Sequence, residues 1–392
     1  MRRYTMAVVA ALAVGYLGCA SKEKTGMKIY VQQKLYDKAI LQGTQALAQN
    51  PNDGDTHYFM GAAYYGKDND VATDATGYAD SSAAWLGMAY DHFTKAKQLA
   101  EVSWGASSDE NIVSMFGRHF NRGVIAQRNN DHPTAATEFK LATIADPENY
   151  QGYYQHAQAL LDQANAAKKA GNEAEFTSLT EVVVKDLDRV LELDPKEKEV
   201  IVTVHQAKGE VLYRRGDVAG AQESYKKAIS LSPENHQLIL TVADRFYNAQ
   251  DWDNAAKYYQ DALSLKERLN VIDEKDVANY SALGNALSQL KRKNDAILNY
   301  EKVLKLKPDD QPTMFNLMVT TYQVGDEAEK GGDMPTAKQH YAKAIQIADQ
   351  LIGLDAKRPE YWQVRGLCKR GVGDFAGAAR DLKEYQDLKG GR

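Results

Sequence analysis

The sequence predicts an all-α protein built as a linear array of helical hairpins. Three observations carry this. A frame of small, aromatic, small and proline residues recurs along the chain in a fixed spacing. Prolines and Gly-Asp or Asn-Asp pairs punctuate it at helix-length intervals, where they break a helix or make a tight turn. No stretch shows the alternating pattern of a strand. The frame is clearest as Gly216-Asp217, Ala221, Tyr225, Ala228 and Pro233, and it returns in full as Ala135, Phe139, Ala142 and Pro147. Partial copies are Ala39, Ala46 and Pro51, and Ala296, Tyr300 and Pro308; a further small residue stands upstream at Gly123, Gly209, Ala243, Gly284 and Gly366.

This pattern resembles the tetratricopeptide repeat, a 34-residue helix–turn–helix unit. The resemblance covers nearly everything after Cys19. It implies a right-handed superhelical solenoid of about nine repeats, with small residues where the two helices of a unit cross and the aromatic filling the gap between neighbouring units. The units fall near residues 20–53, 54–103, 116–149, 150–197, 202–235, 236–269, 277–310, 311–351 and 359–392. In the first, third, fourth, fifth and seventh, a proline (Pro51, Pro147, Pro195, Pro233, Pro308) ends the second helix. Gly216-Asp217, Asn294-Asp295 and Gly373-Asp374 are expected to turn the first helix into the second. The second unit carries about 16 extra residues around 66–82, where Ala79-Asp80-Ser81-Ser82 reads as the cap of a lengthened helix. The fourth carries about 14 extra at 163–177, and the eighth about seven around Gly331-Gly332-Asp333. All three insertions fall between the two helices of a unit, and either mark a binding edge or simply lengthen the helices. A connector at Glu101–Ser108 is expected to end in Ser107-Ser108-Asp109-Glu110, a capping box opening a long helix.

The amino-terminal segment reads as an address. Arg2 and Arg3 precede the uncharged run Met6–Gly18, which is too short for a bilayer span of ~20 residues and has the build of a secretory signal over residues 1–18. Leu17-Gly18-Cys19-Ala20-Ser21 resembles the bacterial lipobox, departing from it at Tyr16, where such boxes usually carry Leu. That resemblance implies lipidation of Cys19, a tether over residues 19–26, and anchoring in the cell envelope. Ala20 after the cysteine favours the outer membrane, facing the periplasm. Loss of Arg2 and Arg3 on cleavage moves the net charge from −5 to −7. An acidic body is not drawn to anionic lipid, so the membrane partner is met through the acyl chains.

Composition narrows the function. With 48 Lys and Arg against 53 Asp and Glu, the chain lacks the basic balance of a nucleic-acid binder. Two cysteines, Cys19 and Cys368, exclude a disulfide scaffold and a four-cysteine zinc site. HExxH, GxxxxGK[ST] and GxSxG are absent. His57, His119 and His205 share position four of their units and read as packed repeat residues. Asp186 and Asp188 read as an ordinary solvated face, and Cys368 as a buried, inert thiol. No catalytic residue, metal site or cofactor is expected. A calcium site from Asp68, Asp70, Asp74 and Asp80 matches no EF-hand spacing.

Binding remains. The first helix of each repeat lines the concave side of such a solenoid. Positions two, five, nine, twelve and thirteen supply Tyr58, Tyr65, Phe120, Arg128, Tyr154, Gln158, Gln206, Tyr213, Arg214, Tyr247, Asn248, Asn285, Gln289, Phe315 and Tyr322, together with Gln127 and Gln323. Aromatics give contact area at small entropic cost and amides pair with peptide groups, so this stripe is expected to hold a peptide or protein. Tetratricopeptide domains that bind chaperone tails hold the terminal carboxylate with Lys at position five and Asn at position nine. Here those positions hold Lys24, Tyr58, Phe120, Tyr154 and Gln206, then Lys28, Ala62, Val124, Gln158 and Glu210, so that clamp is not assembled. The expected function is a non-catalytic, membrane-anchored scaffold that docks or assembles envelope proteins. The alternatives are a homo-oligomeric structural protein and a small-ligand or enzyme platform using the inserted loops.

Overall fold

The computed structural model describes residues 22–390; the expected signal segment and Cys19 lie outside the described residues. These residues form 18 helices and no strand. They fall into two compact units that divide at Ser224/Tyr225, inside one helix. The first unit contains α1 (Lys22–Gln32), α2 (Tyr36–Gln49), α3 (Gly54–Asp70), α4 (Tyr78–Leu99), α5 (Glu101–Arg128), α6 (His132–Ala145), α7 (Tyr150–Lys169), α8 (Glu173–Glu192), α9 (Lys198–Arg214) and the start of α10 (Val218–Leu231). The second continues with α11 (His236–Asn248), α12 (Trp252–Leu269), α13 (Asp276–Gln289), α14 (Lys293–Leu306), α15 (Gln311–Lys330), α16 (Met334–Leu354), α17 (Pro359–Val372) and α18 (Phe375–Gly390). Apart from α10, consecutive helices within each unit pack as hairpins, and each hairpin packs on the next.

Every proline of the chain stands at a helix boundary. Pro51, Pro147, Pro195, Pro233 and Pro308 follow the ends of α2, α6, α8, α10 and α14. Pro133, Pro312, Pro335 and Pro359 open α6, α15, α16 and α17, where the missing N–H is one that a helix start leaves unpaired anyway. Side-chain caps act at three of these same starts, through Asp131, Asp310 and Asp333, and at α8, α11 and α12 through Asn172, Asn235 and Asp251; each accepts a bond from a backbone N–H of the first turn. Gly216 and Gly373 hold left-handed φ of 86° and 94° in the turns that follow α9 and α17, as their sequence setting requires. The expected turn at Asn294-Asp295 is displaced. Both residues lie inside α14, and the left-handed residue is Lys291 (φ 60°).

The crossings follow the small-residue rule, with one change. Phe139 lies directly over Gly123 of its own hairpin, and Tyr300 over Gly284. The aromatic therefore first closes the gap between the two helices of a unit, because only a missing Cβ leaves room for a ring there.

In the long hairpins the structure takes the second of the two readings, lengthened helices, in the fourth and eighth units. The fourth and eighth units hold no inserted loop. Their extra residues lengthen α7, α8, α15 and α16 to 20, 20, 20 and 21 residues. In the second unit α3 runs on to Asp70 and only Val71 to Gly77 is loop. Its second helix is capped by Gly77, not by the Ser81-Ser82 pair. The expected connector at Glu101–Ser108 is helical, since α5 starts at Glu101 and Ser107-Ser108 lie within it. The physical reason is Trp104, whose indole N–H donates to Asp55 Oδ1 (2.7 Å) while its ring stacks on Tyr58 at 3.9 Å. These contacts hold the added turns of α5 against α3. The helix α1 likewise begins at Lys22, inside the stretch expected to be tether.

Candidate functional site

The stripe of first-helix side chains meets different fates in the two units. In the first, much of it belongs to the wall. Tyr58 is covered by Trp104. Phe120 is wedged between Phe116 and Phe139. Tyr65 is half-buried beside Asp68 and Arg118, and burial pushes its hydroxyl pKa up. Arg214 donates to Asn165 and lies over the Phe176 ring. Tyr154, its pKa raised by burial alone, stands half-buried with Gln158, Gln206 and Tyr213, while Arg128 is exposed.

In the second unit the stripe converges. Tyr247 from α11, Asn285 and Gln289 from α13, and Phe315 and Gln323 from α15 line one cleft of about 370 Å³. Asn285 is its centre. Its Oδ1 accepts from the Tyr300 hydroxyl (2.8 Å) and from Asn316 Nδ2 (3.2 Å), and its own Nδ2 donates to the Tyr247 hydroxyl (3.3 Å). Three successive hairpins are thus tied at one amide, with both lone pairs of its oxygen in use. Tyr247 is set edge-on between Trp252 (5.4 Å) and Tyr259 (6.0 Å). Tyr259 in turn donates its hydroxyl to Asp244. Two stripe residues do not line this cleft: Asn248 is exposed at the end of α11, and Tyr322 stacks on Tyr341.

Sequence reasoning missed Trp252, Ser288, Tyr300, Asn316, Val319 and Thr320 in this lining. Tyr300 was legible only as the aromatic of the repeat frame. Its ring packs on Gly284 while its hydroxyl reaches through to Asn285. Trp252 opens a second helix, a position outside the stripe.

A second cluster lies in the first unit, wholly buried. His119 of α5 donates from Nδ1 to Glu138 Oε2 of α6 (2.7 Å) and from Nε2 to Asp68 Oδ2 of α3 (3.1 Å). Donation from both nitrogens requires the imidazolium. Burial alone would lower the His119 pKa, but the hydrogen bonds and charges of Asp68 and Glu138 prevail and raise it. For Asp68 burial is again the largest influence and opposes ionisation; His119, with Arg118 behind it, outweighs burial and holds the carboxyl below its ordinary range. The Tyr78 hydroxyl donates to Glu138 Oε1 and accepts from Arg122, both at 2.9 Å. His119 is packed, as its repeat position suggested, but as a charge inside a paired network. Asp186 also departs from expectation: it is buried and accepts from His156 Nδ1 at 2.7 Å. Asp68, read in sequence with Asp70, Asp74 and Asp80, belongs to the His119 network, whereas Asp70 pairs with Lys34. Among the described residues no group of three or more His, Cys, Asp or Glu could hold a metal ion, and no helix is long and apolar enough to cross a membrane.

Comparison with known proteins bears on the hairpins. Tetratricopeptide repeat family models match residues 202–235 and 277–310. The chain contains tetratricopeptide repeats. The second matched repeat is α13 and α14, which hold Asn285, Gln289 and Tyr300. A TPR repeat-containing protein of Methanocaldococcus jannaschii is 20% identical over 311 residues, 68% of this chain and 50% of its own length. The rat DnaJ homolog subfamily C member 3 is 27% identical over 202 residues, 49% of this chain and 36% of its own. The chain thus spans half or less of these curated relatives. Among solved structures, the C-terminal part of a TPR repeat-containing protein from Cytophaga hutchinsonii is 13% identical with a TM-score of 0.41, covering 75% of this chain and 99% of that one. YrrB, described as a TPR protein with an unusual peptide-binding site, is 12% identical with a TM-score of 0.37, covering 52% and 91%. Tetratricopeptide repeats are in general protein-interaction scaffolds without catalytic activity.

Proposed function

We propose that the protein is a non-catalytic scaffold, exported and anchored through lipidated Cys19 in the bacterial envelope, which docks other envelope proteins through the first-helix faces of its repeats. The observation that carries the docking reading is the convergence of Tyr247, Asn285, Gln289, Phe315 and Gln323, from three successive hairpins, on one cleft. Side chains that merely spaced the helices would have no reason to leave an open, amide-rich concavity. The anchoring half rests on the leader alone: a basic start, a short uncharged run, and Cys19 directly after Leu17-Gly18. Outer-membrane placement follows the same resemblance, through Ala20.

The test is crosslinking in intact cells, then capture of the C-terminally tagged protein, with Cys19→Ser as the unanchored control. A defined set of envelope proteins, recovered with the wild type and reduced with the control, is the expected result. A folded Tyr154→Ala/Tyr247→Ala double variant should lose most of that capture. Unchanged capture by the double variant would place docking elsewhere, and recovery of only the protein itself would replace docking by self-association.

A further inference from the structure

We propose that the cleft formed by α11, α13 and α15 selects an uncharged, extended stretch of a partner polypeptide, held through its main-chain amides, and rejects a charged side chain at that point. This rests on the docking reading above and names the chemistry of what is docked.

The lining is the first argument. Its aromatic, amide, hydroxyl and aliphatic side chains include no charged group, in a chain whose residues are 26% charged. A ligand charge entering there would give up water and meet no counter-ion, which amide dipoles do not repay. An uncharged segment pays no such penalty.

The free polar groups are the second. Asn285 is occupied by Tyr247, Tyr300 and Asn316 and acts as a positioning residue. Gln289 and Gln323 make no side-chain hydrogen bond among the described residues, and both reach the cleft. They occupy the same position, thirteen, of successive repeats, 34 residues apart, and exposed Asn248 is their counterpart on α11. Gln289 and Gln323 stand on successive first helices, α13 and α15; helices in direct contact lie ~8–10 Å apart, and an extended chain advances ~3.3 Å per residue. Two amides so placed meet residues at least about three apart on a strand that crosses the two hairpins. Each primary amide offers a donor and an acceptor, the complement of a peptide group. Phe315, Val319 and Trp252 leave an apolar side for one uncharged side chain of the guest.

A neutral glycan shares the preference for amides and aromatics. The two amides favour the peptide, because they stand on successive hairpins that an extended polymer would cross. Tyr247 also offers no open stacking platform: it is flanked edge-on by Trp252 and Tyr259, and its hydroxyl is engaged.

The experiment is selection of phage-displayed random dodecapeptides on the purified full chain in detergent. The winners are then synthesised and titrated calorimetrically against the wild type and Gln289→Ala/Gln323→Ala. The N-acetylglucosamine trimer is titrated as a glycan probe, and circular dichroism checks that the variant is folded. The expected winners share an uncharged core of about four residues, bind the double variant at least ~10-fold more weakly, and lose ~10-fold or more when one core residue becomes either Glu or Lys. Winners with a charged core that still need Gln289 and Gln323 would overturn the neutral selection while leaving docking at this cleft intact. Winners indifferent to the double variant would remove the cleft as the site. No enriched peptide, or binding of the trimer with loss in the double variant, would overturn the peptide assignment itself.

Discussion

Replacing His119 by alanine should unlock the first unit locally, and the network around it sets the size of the effect. The side chain is fully buried between Asp68 and Glu138 and donates to both. Its removal leaves two carboxylates facing a void, with Arg118 at 3.4 Å from Asp68 Oδ2 as the nearest compensating charge. Breaking a buried pair by removing one partner costs about 3–5 kcal/mol. Since 1.4 kcal/mol is a factor of ten, hydrogen exchange of the amides of α3, α5 and α6 should accelerate by roughly 10²-fold or more. Amides of α15 and α16 in the second unit should not change, because repeat arrays lose stability locally. The wild type should also show a pH signature. The His119 pKa is raised on folding, so its contribution is complete below the ordinary value of 6.5 and is lost as pH rises through the folded-state pKa. On the acid side, the Asp68 pKa is lowered on folding, so its contribution is lost as pH falls through that lowered value. Exchange of α3, α5 and α6, corrected for intrinsic rates, should therefore be slowest between these limits and quicken on the alkaline side. A histidine resonance assigned by His119→Gln should titrate above 6.5. Titration at or below 6.5, or exchange in His119→Ala equal to the wild type, would refute the account of a charged, structurally required imidazolium.

Two further predictions concern packing. In Gly284→Ala the new Cβ would stand 2.5 Å from Tyr300 Cε1; overpacking of ~1–3 kcal/mol exceeds the ~1 kcal/mol gained in helix propensity. Urea denaturation should show a net loss, and displacement of the Tyr300 hydroxyl from Asn285 should weaken any ligand of the cleft; unchanged stability would mean that the ring moves freely. Cys368 is fully buried, and burial pushes its thiol pKa up to about 12. An aromatic disulfide reagent should therefore modify it only as fast as the C-terminal hairpins open, and immediate reaction in the native protein would contradict that burial.

The repeat frame was legible because each of its residues acts locally. A proline cannot continue a helix whatever surrounds it, and the nine prolines all mark boundaries. Glycine at a crossing is required by its own hairpin, so Gly123 and Gly284 could be read without knowing their neighbours. Helix starts were less legible where tertiary contact overrides local preference. Ser107-Ser108 looks like a cap, yet Trp104, bonded to Asp55 and stacked on Tyr58 some 46 residues earlier, keeps the helix going to Glu101. The extra residues of the fourth and eighth units could be counted, but whether they made loops or longer helices depended on partners for their faces.

For the candidate site the division is the same. The sequence alone determined that the chain is a helical repeat array and that HExxH, GxxxxGK[ST] and GxSxG are absent, and it supplied the first-helix positions expected to form a binding stripe. Repeat position sets the direction in which a side chain points, and that is a local property of a helix. Only the tertiary structure decided which of those side chains stay available. Tyr58, Phe120 and Arg214 were taken into the wall, while Tyr247, Asn285, Gln289, Phe315 and Gln323 were left around an open cleft. It also brought Asp68, His119 and Glu138 together from three helices. Pairing across 51 residues is set by how hairpins stack, and stacking depends on all the faces at once.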